Sequence, residues 1–64
     1  MHAIADYDRA LATDPRFAVA YANRGLDRLR QGDAAAAEQD FALCLALNPE
    51  LKPMIEEGVK RIKR

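Results

Sequence analysis

Residues 35–51, AAAEQDFALCLALNPEL, repeat the pattern of residues 1–17, MHAIADYDRALATDPRF, at a distance of 34 positions. The aligned pairs are Ala3 with Ala37, Asp6 with Asp40, Tyr7 with Phe41, Ala10 with Cys44, Leu11 with Leu45, and Pro15 with Pro49. A fixed period of this length indicates stacked structural repeats. Such stacks usually act as binding surfaces rather than as catalysts.

Apolar residues recur at helical spacing throughout the chain, and no strand pattern is present. The spacing predicts helices over about 3–13, 18–30, 34–47 and 53–62. Pro15 ends the first, because the residue before a proline avoids helical dihedrals. Gly32 suits the left-handed position after the second, and Asp33 suits the N-cap of the third. The short loops favour antiparallel neighbours, so we expect one all-α domain of about four helices.

The period and its residues resemble the tetratricopeptide repeat, whose pattern is W-x2-L-G-x2-Y, then A-x3-F, then P. Here the unit reads Tyr21-x2-Arg24-Gly25-x2-Arg28, then Ala37-x3-Phe41, then Pro49. The resemblance implies an α-solenoid fragment: the second helix of a partial repeat (1–17), one full repeat (18–51) and a capping helix (52–64). Arg24 and Arg28 replace the Leu and Tyr of the pattern, and we expect them to weaken packing inside the repeat.

Three interior residues carry specific expectations. Gly25 costs about 1 kcal/mol relative to alanine inside a helix, so we expect it to allow close contact with a neighbouring helix. Cys44 has no His or carboxylate partner at motif spacing, which favours inert packing. In the last helix, we expect Met54 to belong to the apolar stripe with Leu51, Ile55, Val59 and Ile62.

The residues needed for catalysis are scarce. The chain has no serine, one histidine (His2) and one cysteine, and it lacks CxxC, HExxH and glycine-rich phosphate motifs. We therefore expect no enzyme, no cofactor and no metal site. A lone cysteine is compatible with a reducing compartment, and no apolar run approaches a membrane span. These features favour a cytoplasmic protein without membrane contact.

Formal net charge is zero, but residues 51–64 carry five basic residues against two acidic ones. Glu56 and Glu57 lie early in the last helix and the basic residues mostly late, which is the arrangement that the helix dipole favours. The alternative is nucleic-acid binding, which predicts a steep salt dependence of affinity. We expect dipole complementarity and no nucleic-acid partner.

The resemblance implies that the first helix of the full repeat lines a groove for a peptide or helix. The implied groove residues are Val19, Ala22, Asn23, Leu26, Leu29 and Arg30. Asn23 matches a carboxylate-binding asparagine of some family members, but Pro53 and Glu57 stand where those members have basic residues. Asn23 is then expected to bind a peptide backbone or to face water. Leu26 and Leu29 either pack on the last helix or form a shallow apolar groove.

The stripe formed by Ile4, Tyr7 and Leu11 would normally pack on a preceding helix as well as a following one. Because stacked repeats gain stability only by burying faces on neighbours, we expect this stripe to mediate homo-oligomer formation. The sequence thus favours a non-catalytic protein–protein interaction module. The alternative is a self-assembling structural unit, a truncated or engineered repeat fragment, whose main partner is another copy of itself.

Overall fold

The computed structural model describes residues 3–63, with side chains from residue 6 onward. It contains four α-helices: α1 (Ala3–Thr13), α2 (Ala18–Arg30), α3 (Ala34–Leu47) and α4 (Lys52–Ile62), the last preceded by a short 3₁₀ helix at Pro49–Leu51. The described part of the chain has no strand. The all-α prediction is confirmed, and α4 begins one residue earlier than predicted.

The turn between α2 and α3 forms as its residues dictate. Gly32 has a φ of 88°, the left-handed conformation that glycine adopts without steric cost. The Asp33 side chain accepts a hydrogen bond from the backbone N–H of Ala36 (3.2 Å), which satisfies one free donor of the first turn of α3. This tight connection places α2 and α3 side by side.

Helix α2 is the centre of the fold, because it contacts α1, α3 and α4. Its most extensive contact is with α3, at Gly25. A Cβ atom on Gly25 would lie 2.6 Å from Cε1 of Phe41 and 3.1 Å from the carbonyl oxygen of Ala37. The expectation of a close helix contact at Gly25 is therefore confirmed.

The buried core joins α2, α3 and α4 through Ala22, Cys44 and Ile55. Burial raises the pKa of the Cys44 thiol, which disfavours the reactive thiolate and agrees with a packing role. Met54 was expected in the apolar stripe of α4, but it is 37% exposed. Ile55 of the same stripe is buried as expected, at 6% exposed, so the prediction was wrong for Met54 alone, which lies at the exposed edge of the stripe.

Gly25 and Gly58 provide a matched pair of substitutions. We expect Gly25→Ala to lower the free energy of unfolding by about 1–3 kcal/mol, because the new methyl group overlaps the rigid ring of Phe41 and meets backbone. Gly58→Ala meets only the flexible end of Leu26, with both Cδ atoms at 2.8 Å, and we expect a change within about 1 kcal/mol. Urea unfolding followed by circular dichroism measures both. A Gly25→Ala protein as stable as the original would contradict the close contact.

Candidate protein-binding site

The predicted groove residues of α2 do not all reach solvent. Val19 is 37% exposed, Arg30 is exposed and Asn23 is partly exposed. Ala22 has no exposed surface and lies in the core cluster with Cys44. Ala22 is therefore a packing residue, and its inclusion in an accessible groove was wrong.

Leu26 and Leu29 lie against neighbouring helices. Leu26 approaches Gly58 of α4 so closely that its Cδ atoms would touch a Cβ placed there. Leu29 lines a pocket of about 160 Å³ together with Phe41 of α3 and Val59 of α4. Of the two interpretations, packing against α4 accounts for Leu26, while Leu29 still borders open space.

Asp27 lies on the same side of α2 as Asn23 and Arg30, although it is not among the predicted groove residues. It follows Asn23 by four residues and precedes Arg30 by three, so the three side chains share one helix face. Its side chain is 16% exposed, and Oδ1 accepts a hydrogen bond from Nη1 of Arg30 at 2.9 Å. Its other oxygen, Oδ2, is buried and has no donor among the described residues. The helical spacing was the signal that could have found it.

The exposed face of α2, defined by Val19, Asn23, Asp27 and Arg30, thus combines one apolar side chain with three polar ones. Arg30 is largely solvated, so its pair with Asp27 contributes little to stability. An ionised carboxylate only accepts hydrogen bonds, so Asp27 can pair with donors but not with acceptors. Pro53 and Glu57 supply no cation, and Arg30, the cation of this face, is paired with Asp27, so the face is poorly suited to a ligand carboxylate.

A second polar feature holds α1, α2 and α3 together. Asp40 of α3 is 1% exposed, and Arg24 binds both of its oxygens, Nε to Oδ2 at 3.0 Å and Nη2 to Oδ1 at 2.7 Å. Arg28 Nη1 donates to the same Oδ2 at 3.2 Å. Arg24 also reaches α1, where its Nη1 donates to Oδ1 of Asp8 at 2.6 Å. Two arginines and two aspartates leave this ion cluster formally neutral.

The ion cluster corrects the expectation that Arg24 and Arg28 only weaken the repeat. Each is bound to the buried Asp40, and the Arg24 guanidinium also lies 5.4 Å from the ring centre of Tyr21. The hydrogen bond to Asp40 is the largest cause that raises the pKa of Arg24. Both arginines therefore have a structural role in holding α2 against α3.

The residues of the predicted self-association stripe differ in their exposure. Leu11 is 8% exposed and packs inside the fold, Tyr7 is partly exposed, and the side chain of Ile4 lies outside the described residues. Leu11 cannot present a surface to another copy, because it is already buried. One accessible side of α1 carries Asp6, which is exposed, and Tyr7 and Ala10, which are partly exposed.

Asp40→Asn tests the ion cluster. Removing the carboxylate charge leaves two partly buried guanidinium groups without their shared partner, and we expect the free energy of unfolding to fall by about 2–4 kcal/mol. Glu38→Gln, an exposed position on the same helix, is the matched control and should change it by less than about 0.5 kcal/mol. Thermal and urea unfolding measure both. Equal stability of the two variants would show that the cluster contributes nothing.

Comparisons of this chain with protein-family models, with curated proteins and with solved structures found no match. Among the described residues, no helix has the length and apolar character needed to span a membrane.

Proposed function

We propose that this chain is a non-catalytic, cytoplasmic protein–protein interaction module of tetratricopeptide type that binds a peptide on the exposed face of α2. The 34-residue period, the helix boundaries and the Gly25 contact between α2 and α3 support the repeat architecture. The contact of α2 with α4 is also what successive first helices of a stack require. The buried thiol of Cys44 is compatible with a reducing compartment.

One observation carries the assignment of the binding face, namely the buried Oδ2 atom of Asp27 that has no donor. Leaving a buried acceptor unsatisfied costs about 1–3 kcal/mol, and more when the acceptor is charged. Oδ2 has almost no solvent-accessible surface, so a ligand N–H reaches it only after the Asp27 side chain rotates outward, and donation to it then recovers that free energy. The face therefore favours a partner that presents amide or amine donors.

The neighbouring side chains fit an extended peptide. Asn23, one turn before Asp27, offers both a donor and an acceptor, so it can bind a peptide carbonyl and a peptide N–H. Val19, one turn earlier still, offers apolar contact. Arg30, whose positive charge is largely solvated, lies at the other end of this face. These groups hydrogen-bond to the backbone amides of a peptide rather than to any particular peptide side chain.

Peptides selected from a randomised display library on the immobilised protein test this proposal. We expect selected peptides to bind with micromolar affinity, about −8 kcal/mol, and to shift the amide NMR signals of Val19, Asn23 and Asp27. Asp27→Ala should weaken them at least tenfold. It should not destabilise the unbound protein, because it removes an unsatisfied buried acceptor.

Gln39→Ala, an exposed position on α3, is the matched control and should leave peptide affinity unchanged. Failure to select any peptide would contradict the proposal. If Asp27→Ala and Asn23→Ala leave the affinity of the selected peptides unchanged, the peptides bind elsewhere on the molecule.

A further inference from the structure

The internal repeat gives this chain two copies of one helix-binding face. On α3, the residues that hold α2 are Asp40, Phe41 and Cys44, together with the backbone at Ala37. The positions 34 residues earlier are Asp6, Tyr7 and Ala10 on α1, together with Ala3. We call Asp6, Tyr7 and Ala10 the outer face of α1. The spacing along the helix is identical in the two cases, so the two faces present the same kinds of group.

The copy on α3 is occupied, and it shows what this face binds. Helix α2 brings a glycine, Gly25, against the ring of Phe41, and two arginines one turn apart that both bind Asp40. The small residue permits the close approach of the two helices, and the paired cations neutralise the buried carboxylate. The recognised pattern in α2 is therefore Arg24-Gly25-x2-Arg28.

The copy on α1 is open. Asp6 is exposed, and Tyr7 and Ala10 are partly exposed. No described side chain forms an ion pair with Asp6, although Arg9 lies three residues away on the same helix. Helix α1 contacts α2 through a different side, where Asp8 binds Arg24 and Leu11 is buried. Docking on α2 thus leaves the outer face available.

We propose that the outer face of α1 binds a partner helix that carries the pattern Arg-Gly-x2-Arg, as α3 binds α2. The two arginines of the partner bind the carboxylate of Asp6, and its small residue lies against the ring of Tyr7. This interaction is independent of peptide binding on α2, since it uses another helix and another chemistry. Charge complementarity carries the choice of partner, because a carboxylate beside a half-exposed aromatic ring matches two cations beside a glycine.

A second copy of the folded chain is a poor occupant of this face. Its only Arg-Gly-x2-Arg segment is α2, where Arg24 and Arg28 are already bound to Asp40 and Gly25 is already covered by Phe41. Docking through α2 would require that copy to open its own interface between α2 and α3. A separate helix with the same pattern has no such requirement.

A synthetic peptide with the α2 sequence, AVAYANRGLDRLR with blocked ends, is the probe. Titrated into the isotopically labelled chain, it should shift the amide NMR signals of Asp6, Tyr7 and Ala10 and leave those of α3 unchanged. A peptide with both arginines of the pattern replaced by glutamine should bind at least tenfold more weakly. Because these substitutions are in the peptide, they cannot affect the folding of the protein.

Matched changes in the protein complete the test. Asp6→Asn should weaken the peptide at least tenfold, while the exposed control Glu38→Gln should not. Asp6→Arg should abolish binding of the original peptide. The same variant should bind a peptide in which both arginines of the pattern are replaced by glutamate. Asp6 is exposed, so these variants are expected to fold.

Three results would overturn the proposal. The peptide could leave the α1 signals unchanged, or it could shift α3 signals by displacing α2. Alternatively, a dilution series without peptide could shift the same α1 signals while light scattering reports a change in mass, which would make a second copy the occupant. None of these results bears on peptide selection by the exposed face of α2, so the two proposals can fail separately.

Discussion

The carboxylate of Asp40 is the constraint around which α1, α2 and α3 are arranged. A charge that is 1% exposed must have partners, and here both arginines of α2 supply them. Arg24 then extends the network to Asp8 on α1. Because a guanidinium group binds a carboxylate with defined geometry, the cluster fixes the rotation of α2 as well as its position. The glycine beside Arg24 sets how closely the helices approach.

This fixed rotation divides α2 into sides with different tasks. The ion cluster and Gly25 face α3, Leu26 faces α4, and Val19, Asn23 and Asp27 keep some exposed surface. A helix that is held on several sides presents its remaining side rigidly. Such preorganisation reduces the entropy that binding must overcome, and it allows a short helix to serve as a recognition element.

Helix positions were predictable because proline, glycine and N-cap residues act locally, as Gly32 and Asp33 show. The close contact at Gly25 was predictable because a glycine inside a helix requires a compensating contact. The role of Asp40 was not predictable from the sequence, since its partners lie 16 and 12 residues earlier on another helix. The burial of Ala22 depends on how α2 is rotated about its axis, and contacts with the other helices determine that rotation.

The short sequence separation of the ion cluster also affects how the chain folds. Arg24 precedes Asp40 by 16 residues and Arg28 precedes it by 12, with the Gly32 turn between them. Closing so short a loop carries a small entropic penalty, and proteins dominated by local contacts fold rapidly. During synthesis α2 emerges before α3, so its arginines stay hydrated until Asp40 follows within about 3 seconds at ordinary elongation rates of about 5–20 residues per second. The interval in which α2 can pair with a wrong partner is correspondingly brief.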